Sequence, residues 1–430
     1  MVRFFYTLAV LALLPWAVLH LLWRARGQPE YLRHWAERFG LFPAADVKGP
    51  ARPTIWLHAV SVGETRAAQP LVTALRQRFP DHRILFTHMT PTGRATSEAL
   101  FGDSVERIYL PYDTPWAMHG FLRHYRPRFG LIMETELWPN LIAACRQNDV
   151  PLWLVNARLS ERSAKRYAAF PALTREALQG LVAIGAQTIG DAARLEALGA
   201  QRVTVTGNIK FDIEAPAQQI DLGRELRARW GKRPAWLAAS TREGEEALIL
   251  EAWKKVMHSG IPIRDGAGTT ALLVLVPRHP QRFAAVAKLV TEHGFALQCR
   301  SANTAIDATT GVLLGDSMGE MFAFYAAADV AFIGGSLLDF GSQNLIEAAA
   351  CGTPILIGPS TRNFADAARE AVASGAALAV RDADDLVARV KALLSDEQGR
   401  RQMADAGRAF AARHRGATAR TLEMISRAAR

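Results

Sequence analysis

Short apolar runs recur along the chain at intervals that suit the buried strands of a parallel sheet. Strands covered on both faces read as continuous apolar segments, whereas half-exposed strands alternate. Amphipathic stretches such as 65–79 and 114–124 separate the runs and predict helices. The runs are TIWLHA (54–59), RILFTH (83–88), FGLIME (129–134), PLWLV (151–155), LVAIGA (181–186), PAWLAAS (234–240), ALLVLVP (271–277), VAFIGG (330–335) and PILIGP (354–359).

The runs form two series, separated by residues 213–222, which lack a strong period and read as a linker. Strands that alternate with helices in both halves predict an α/β protein with two doubly wound, Rossmann-like lobes. We place the domains at 27–215 and 216–430, after an amino-terminal segment 1–26. The Ala/Arg-rich tail from about residue 385 reads as helical, and by analogy with bilobed folds its last helix packs back on the first lobe. Residues 263–270 read as a surface loop.

Residues 4–23 form a segment of 20 residues without formal charge, FFYTLAVLALLPWAVLHLLW. A helix of that length spans about 30 Å, the thickness of the hydrocarbon core of a bilayer, so the segment predicts a membrane anchor. Pro15 and His20 are awkward in lipid. An interfacial helix that does not fully span, or a cleaved signal peptide, are the alternatives. The arginines that follow, among them Arg24 and Arg26, place the large domains on the cytoplasmic side.

Composition narrows the class of partner. Half of the residues are hydrophobic, which excludes global disorder. The 51 basic and 41 acidic residues leave a net charge of +10, which favours an anionic partner such as a membrane or a phosphorylated substrate. Nucleic acid is not expected, because the arginines are dispersed and no binding module is present. Three scattered cysteines are too few for a disulfide framework or a zinc site and indicate a reducing compartment.

Three motifs of the first half carry candidate chemistry. In SVGET, Glu64 follows a strand at the sheet edge that faces a ligand crevice, where it either accepts a proton from a substrate hydroxyl or stabilises the first turn of a helix. In METE, Glu134 and Glu136 are two residues apart, which puts both side chains on one face of a strand. The two carboxylates either have a function or pair with Arg158 or Arg162. Lys210 in GNIKFD, near the linker, reads as a phosphate-binding cation or a surface lysine. The TPTG turn at 90–93 reads more simply as structural.

The second half carries a candidate nucleotide site. Pro277 and Arg278 end a strand, and the guanidinium suits a phosphate or carboxylate. The segment Met318 to Glu320 precedes a helix, and the run GGS…NLIEAAACGTP joins a glycine-rich turn to a helix that Asn344 to Glu347 open. Such a turn suits a phosphate, and an acid in the first turn of the helix suits ribose hydroxyls. A plain strand-to-helix turn is the alternative.

Together the motifs closely resemble the 3-deoxy-D-manno-octulosonic acid (Kdo) transferases of Gram-negative bacteria, over residues 4 to 425. That family consists of membrane-tethered glycosyltransferases of the GT-B fold that act on the lipid A precursor. The resemblance rests on HAVSVGE (from His58), MTPTG (from Met89), YLPYD (from Tyr109), IMETELWPNL (from Ile132), NARLS (from Asn156), GNIKFD (from Gly207), LVPRHP (from Leu275), GDSMGE (from Gly315) and FIGGS (from Phe332).

The resemblance implies roles for particular residues. Glu64 corresponds to the catalytic base of the family, and Glu134 and Lys210 correspond to its transition-state stabilisers. CMP contacts fall on Pro277, Arg278, Met318, Gly319, Glu320, Asn344, Leu345, Ile346 and Glu347. One departure concerns the turn before Asn344, where the family has a second glycine and this chain has Ser342. We expect Ser342 to keep the turn if its φ is negative.

The resemblance also implies the reaction and the partners. The donor would be CMP-Kdo and the acceptor the phosphorylated lipid A precursor, and in-line displacement would invert the anomeric centre. The sequence shows no cluster of metal ligands, so we expect neither a metal nor a cofactor. The first lobe binds the acceptor and the second the nucleotide sugar, on the cytoplasmic side of an anionic inner membrane. Two rivals stay open: a GT-B enzyme that uses a UDP-sugar on a lipid, and a tethered nucleotide-binding protein without catalysis.

Overall fold

The computed structural model describes residues 1–42, 52–258 and 270–428. Its contacts divide the chain into two compact units, which we call unit 1 (Met1–Asp212 with Gly416–Arg430) and unit 2 (Ile213–Arg415). The surface loop predicted at 263–270 lies, apart from Thr270, outside the described residues.

Each unit is built on a parallel sheet of seven strands. In unit 1 the strand order is β3-β2-β1-β4-β5-β6-β7, and in unit 2 it is β10-β11-β9-β8-β12-β13-β14. The strands are β1 (Thr54–His58), β2 (Arg83–His88), β3 (Glu106–Tyr109), β4 (Pro127–Met133), β5 (Leu152–Ala157), β6 (Ala183–Ala186), β7 (Val203–Val205), β8 (Ala235–Thr241), β9 (Leu272–Pro277), β10 (Leu297–Cys299), β11 (Val312–Leu314), β12 (Val330–Ile333), β13 (Ile355–Ile357) and β14 (Ala377–Ala379).

Helices connect the strands in both units. They are α1 (Val2–Ala25), α2 (Val62–Ala67), α3 (Gln69–Arg78), α4 (Pro91–Phe101), α5 (Pro115–Tyr125), α6 (Pro139–Gln147), α7 (Glu161–Ala168), α8 (Pro171–Gln179), α9 (Ile189–Ala197), α10 (Ala217–Trp230), α11 (Glu245–His258), α12 (Phe283–Glu292), α13 (Met321–Ala327), α14 (Ile346–Cys351), α15 (Ala365–Ala373), α16 (Ala383–Ser395), α17 (Glu397–His414) and α18 (Ala417–Ala428). The predicted α/β class with two doubly wound lobes is confirmed.

The strands are covered on both faces, as their continuous apolar runs predict. Successive residues of β1 point to opposite sides: Trp56 packs in one hydrophobic cluster, and Ile55 and Leu57 pack in the other. The second cluster also contains Ala417 and Ile425 of α18, so the last helix covers the same face of the sheet of unit 1. The Asp212 carboxylate accepts hydrogen bonds of 2.8 Å from the amides of Gly416 and Thr418, which satisfies the start of α18.

All nine predicted strands are present, and the described residues form five further strands that were not predicted. The unpredicted strands β3, β7, β10, β11 and β14 have only three or four residues. Strands that short carry too little periodicity to be recognised. Four of the five are edge strands and β11 lies next to an edge.

Two local predictions were wrong. The helix predicted over 65–79 is broken into α2 and α3, because Pro70 has no amide hydrogen to continue the ladder and is accommodated only in the first turn of α3. The predicted linker 213–222 is helical from Ala217 onward, since α10 begins there. Its weak amphipathic pattern hid the helix, which buries Leu226 and Trp230.

Gly130 in β4 offers a test of the packing in unit 1. A methyl group at this position would meet Trp56 Cζ3 at 2.8 Å and Leu152 Cδ1 at 2.7 Å, and both of those side chains are buried. Overpacking of this kind costs about 1–3 kcal/mol, so we expect Gly130→Ala to lower the Tm in thermal unfolding.

Gly120→Ala is the matched control for this substitution. Gly120 lies inside α5, where a methyl group meets the Gly40 carbonyl oxygen at an ordinary 3.7 Å. Alanine favours a helix interior over glycine by about 1 kcal/mol, so the control should be neutral or stabilising. A Gly130→Ala protein as stable as the control would contradict the packing described for β1 and β4.

Candidate functional site

In unit 1, Glu64 lies where β1 passes into α2, at the carboxyl edge of the sheet. Ser61 caps α2, and its Oγ accepts a hydrogen bond from the Glu64 amide at 3.2 Å. The Glu64 carboxylate is held from two sides: Oε1 accepts from Ser61 Oγ and Oε2 accepts from the Val60 amide, both at 2.8 Å. The arrangement resembles a capping box, so Glu64 does stabilise the helix start, as one of the two interpretations of SVGET requires.

Burial gives the same carboxylate unusual proton chemistry. The Glu64 side chain is only 8% exposed, and this desolvation raises its pKa, while the bonds from Val60 and Ser61 oppose the rise. The negative charge of Glu134 raises the pKa further and the positive charge of Lys210 lowers it, so both groups lie within electrostatic reach. A carboxylate in such an environment holds a proton more readily than one in water, and this suits a general base.

Glu134 and Lys210 form an ion pair in which Lys210 Nζ lies 2.7 Å from Glu134 Oε1. Both side chains keep about a quarter to a third of their surface exposed (26% and 34%). The alternative partners Arg158 and Arg162 do not form this pair. The parity argument for Glu134 and Glu136 was wrong, because β4 ends at Met133 and Glu134 adopts a left-handed conformation with φ +57°.

Glu136 joins the cluster as a third carboxylate, although the resemblance assigned it no role. Its Oε2 accepts a hydrogen bond of 3.1 Å from Trp138 Nε1. Burial raises its pKa to about 7, and the charges of Glu64 and Glu134 add to the rise. We call Glu64, Glu134, Glu136 and Lys210 the acidic cluster of unit 1.

Asparagines on neighbouring segments position Lys210. Asn156, at the end of β5 with φ +53°, accepts a hydrogen bond from the Ile209 amide through Oδ1 at 3.0 Å. Asn208 Oδ1 accepts from the Lys210 amide at 3.0 Å. Both asparagines lie in motifs that the sequence singled out, NARLS and GNIKFD, but their role as supports for Lys210 depends on the pairing of strands far apart in the chain.

The TPTG turn at 90–93 has the structural role that the simpler interpretation of its sequence predicts. Thr90 caps α4 by accepting a hydrogen bond from the Gly93 amide at 3.1 Å. The same hydroxyl donates to the Val60 carbonyl at 3.2 Å. Thr90 therefore braces the loop from which the Val60 amide reaches Glu64.

In unit 2, the predicted nucleotide residues lie after the carboxyl ends of β9, β11 and β12, which share one edge of the sheet. Pro277 ends β9 and Arg278 follows it, with its amide bonded to the Thr241 carbonyl at 3.0 Å. Burial raises the pKa of Glu347 and the Arg278 guanidinium opposes this rise, so the two charges lie within electrostatic reach of one another.

The Asn344–Glu347 segment differs in detail from the prediction. The helix begins only at Ile346 and has six residues. Asn344 Oδ1 accepts from the Ile346 amide at 3.0 Å, and its Nδ2 donates to Glu347 Oε1 at 3.2 Å. The side chains of Leu345 and Ile346 are fully buried, so these two residues can offer only backbone groups to a ligand.

The Met318–Glu320 segment lies between β11 and α13. Met318 is 65% exposed, Gly319 has φ +81°, and Glu320 pairs with Arg300 at 3.0 Å between Oε1 and Nη2. An exposed thioether next to an unhindered glycine leaves backbone groups accessible, which suits contact with a base or sugar.

Ser342 does not have the negative φ on which its acceptability was predicted to depend. Its φ is +69°, which follows Gly341 at φ +83°. The turn forms nonetheless: the Ser342 amide donates to the Gly335 carbonyl at 2.7 Å and the Gln343 amide to the Gly334 carbonyl at 3.0 Å. A serine in this region costs about 1–2 kcal/mol, which the two hydrogen bonds offset.

A buried glutamate that the sequence did not reveal holds this glycine-rich turn. Glu245, in the first turn of α11, is fully buried and accepts hydrogen bonds from the amides of Arg242, Gly335 and Leu337 at 2.8, 2.6 and 3.0 Å. Its neighbour Glu246 binds Arg282, with Oε1 2.6 Å from Nη1 and Oε2 3.0 Å from Nη2. The run of acids in TREGEE was the available signal for this support.

Among residues 1–42, 52–258 and 270–428, no group of three or more His, Cys, Asp or Glu side chains could hold a metal ion. His58 and His88 are fully enclosed at the ends of β1 and β2, where burial lowers the pKa of His58 to about 4 and that of His88 to about 3. Both therefore stay neutral at physiological pH.

Comparisons with known proteins cover both units. The sequence profile described as 3-Deoxy-D-manno-octulosonic-acid transferase (kdotransferase) matches residues 33–213, and the profile of glycosyl transferases group 1 matches residues 291–410. A 3-deoxy-D-manno-octulosonic acid transferase of Bordetella pertussis is 45% identical over 98% of both chains. One of Haemophilus influenzae is 38% identical, also over 98% of both chains.

A solved structure shares the fold without close sequence similarity. The UDP-GlcNAc 2-epimerase of Neisseria meningitidis bound to UDP-GlcNAc superimposes with a TM-score of 0.57 at 13% identity, over 87% of this chain and all of that one. At this identity the likeness concerns the fold alone.

The acidic cluster of unit 1 predicts a pH dependence of stability. The pKa of Glu136 is about 7 in the folded chain against about 4.5 ordinarily. The unfolded chain releases this proton first as the pH rises, so the contribution of Glu136 to stability falls between about pH 4.5 and 7. We expect the Tm of Glu136→Gln relative to the wild type to rise across this window and to stay constant above it.

Glutamine keeps an oxygen that can accept from Trp138 Nε1, so the comparison isolates the charge. Thermal unfolding of both proteins at intervals from pH 4 to 8 provides the measurement. A Tm difference that does not change with pH would show that Glu136 titrates normally.

Proposed function

This chain belongs to the family of 3-deoxy-D-manno-octulosonic acid transferases and is a glycosyltransferase, and we propose that it transfers Kdo from CMP-Kdo to the lipid A precursor in lipopolysaccharide biosynthesis. The observation that carries the proposal is the acidic cluster of unit 1, where a desolvated Glu64 lies within electrostatic reach of the Glu134–Lys210 pair. We further propose that residues 27–215 bind the acceptor and residues 216–430 the nucleotide sugar.

In the proposed step, a sugar hydroxyl of the acceptor attacks the anomeric carbon of Kdo from the face opposite CMP. The new bond joins the acceptor oxygen to that carbon, the bond from the carbon to the phosphate oxygen breaks, and the configuration inverts. The hydroxyl proton passes to the Glu64 carboxylate, and CMP leaves with the bonding electrons. The leaving group is a phosphate monoester, which needs positive charge or N–H donors more than it needs a proton.

The hydrogen bonds to Glu64 support its role as base. Val60 and Ser61 fix the orientation of the carboxylate, yet a carboxylate has about four lone-pair sites, and these two bonds occupy one on each oxygen. The group is thus positioned before the acceptor arrives, which is how proximity lowers a barrier.

Lys210 is proposed to stabilise negative charge in the transition state. The ammonium group has three donors, of which the Glu134 pair uses one, and the side chain is about one third exposed. Glu134 would then position Lys210. The left-handed backbone conformation of Glu134, with φ +57°, costs energy, and we propose that it persists because it places this carboxylate against Lys210.

On the donor side, Arg278 is proposed to bind the phosphate of CMP, and Asn344 and Glu347 the sugar hydroxyls. Arginine binds phosphate through paired, charge-assisted hydrogen bonds, and an acid close to it suits ribose. Pro277, Met318 to Glu320, and the backbone of Leu345 and Ile346 would complete the contacts.

The proposed location is the cytoplasmic side of an anionic inner membrane. Helix α1 is long and apolar enough to cross a membrane by length and composition. The net charge of +10 favours anionic lipids and a phosphorylated acceptor, an attraction that salt would screen.

The fold does not choose the nucleotide, because a protein bound to UDP-GlcNAc shares it. We therefore test the proposal by incubating the purified chain and a tetra-acylated lipid A precursor with CMP-Kdo or with UDP-sugars, and identify products by mass spectrometry. Product only with CMP-Kdo supports the proposal, and the mass counts the Kdo residues added. Product only with a UDP-sugar, or binding without product, favours one of the two rivals.

Glu64→Gln should abolish detectable transfer while CMP binding changes little. Loss of a positioned base costs about 10²–10⁴-fold in rate, whereas glutamine keeps an oxygen for the Val60 amide or the Ser61 hydroxyl. Initial rates and calorimetric titration with CMP measure the two effects.

Ser61→Ala is the matched control, because it removes the helix cap and one bond to Glu64 but leaves the carboxylate. It should cost stability of about 1 kcal/mol and only a modest part of the rate. If Glu64→Gln lost stability, CMP binding and rate together, Glu64 would be structural.

Arg278→Met should weaken CMP binding by about 10–100-fold, since a hydrogen bond to a charged group contributes about 1.5–3 kcal/mol. Arg401→Met is the control, because Arg401 lies on α17 with its side chain 77% exposed and should leave the CMP affinity unchanged. Equal CMP affinity for both variants, measured by calorimetry, would remove Arg278 from the nucleotide site.

A further inference from the structure

Helix α1 presents one continuous apolar face that nothing in the described part of unit 1 covers. The exposed residues recur at helical spacing, and their exposures run from 46% to 66%. They are Phe4, Phe5, Leu8, Leu13, Trp16, Leu19, Leu22 and Trp23. A contiguous apolar face that is exposed to solvent in this way marks an interaction site.

The opposite side of the first two turns is bound to unit 1 by polar contacts. Tyr6 Oη donates to Asp113 Oδ2 at 2.9 Å, and Thr7 Oγ1 donates to Asn140 Oδ1 at 3.0 Å. Arg3 Nη1 lies 3.1 Å from Glu176 Oε1 on α8. An exposed ion pair such as the last contributes little, but the other two bonds end on buried partners.

Asp113 in particular belongs to the framework of unit 1. Its side chain is buried, and besides the Tyr6 hydroxyl it accepts hydrogen bonds from the amides of Asn140 and Leu141 at 3.0 and 2.8 Å. These amides begin α6, so the hydroxyl of Tyr6 completes a network that positions a core helix. The start of α1 is therefore docked on the domain.

The other end of α1 returns to the same unit. Leu21 and Ala25 pack with Tyr31, whose ring lies 4.6 Å from the Arg24 guanidinium carbon. Shortly afterwards Glu37 accepts from the Tyr109 amide of β3 at 2.7 Å. Since residues 3 and 25 of a helix lie about 33 Å apart, a helix that crossed the bilayer would leave its first turn on the far side, away from Asp113.

Basic and aromatic side chains border the apolar face where α1 ends. Arg24, Arg26 and Arg33 are exposed, and Trp35 is 51% exposed. Tyr31 is buried and Phe39 packs edge-on against Tyr112, so these two rings do not belong to the border. Aromatic and aliphatic residues bordered by arginine are typical of helices that lie in the headgroup region of anionic bilayers.

We propose that α1 lies in the plane of the membrane interface, with its apolar face in the lipid and its first turns docked on unit 1, and does not cross the bilayer. The occupant of the face is the boundary between anionic headgroups and acyl chains. The docking through Tyr6 and Thr7 would fix the orientation of unit 1 on the surface. This proposal rests on the membrane association proposed above but not on the transfer reaction.

Single added cysteines in the full chain test the arrangement. Arg3→Cys marks the start of α1 on its docked side, Arg26→Cys marks the end of α1, and Ala99→Cys on the exposed side of α4 reports the side of the membrane on which unit 1 lies. Each variant is expressed in bacterial membranes, and inside-out and right-side-out vesicles are treated with a membrane-impermeant maleimide. The parent chain, with its three cysteines, gives the background.

All three cysteines should react in inside-out vesicles and be protected in right-side-out vesicles. Reaction of Arg3→Cys only in right-side-out vesicles, with the other two unchanged, would overturn the proposal in favour of a spanning helix. Release of the whole chain by an alkaline carbonate wash would overturn it as well, because the face would then not be held by lipid. None of these measurements requires CMP-Kdo, so a failure of this proposal can be distinguished from a failure of the proposed transfer reaction.

A cross-link tests the docking itself. In the same vesicles, the pair Arg3→Cys and Glu176→Cys should be joined by a short bismaleimide, since their side chains meet in the proposed arrangement. The pair Trp16→Cys and Glu176→Cys is the control, because residue 16 lies about 20 Å further along the helix. Ala99→Cys is added to the first pair as a label for correct folding and orientation. Absence of the first cross-link while this third cysteine still reacts normally would contradict docking of the first turns.

Discussion

The ion pair between Lys210 and Glu134 joins the parts of the candidate site in unit 1. It joins the end of β4 to a turn that lies 76 residues further along the chain, after strands β5, β6 and β7. Glu134 reaches it from a left-handed backbone conformation, and Asn156 at the end of the neighbouring strand adopts the same conformation and holds the turn that carries the lysine. Such conformations cost about 1–3 kcal/mol each and persist where surrounding contacts determine them.

That pair also controls the charge around Glu64. Three carboxylates near one another would repel if all were ionised, and burial makes ionisation costlier still. Lys210 offsets part of this cost for Glu64, whereas Glu136, whose pKa rises to about 7, takes the larger share of the penalty. The cluster thus contains two acids whose pKa values are raised by burial, which is consistent with the proton transfer that we propose for Glu64.

The amino-terminal helix shows how the same composition allows two arrangements. Length and apolarity are equal for a helix that crosses a bilayer and for one that lies on it. What distinguishes the two is the partner of a few polar side chains, here Tyr6 bonded to the buried carboxylate of Asp113. The partner lies more than a hundred residues away in the chain, so periodicity could not reveal it.

The sequence by itself determined nine of the strands, the two α/β halves and the membership of the family, because continuous apolar runs and contiguous motifs are local properties. Glu64, Glu134, Lys210 and Arg278 could be named for the same reason. Only the tertiary structure decided that Glu136 belongs with Glu64, that Glu245 holds the glycine-rich turn, that Ser342 has a positive φ, and that residues 217–222 are helical. These features depend on burial and on hydrogen bonds between distant segments, and such energies arise only when the sheets have assembled.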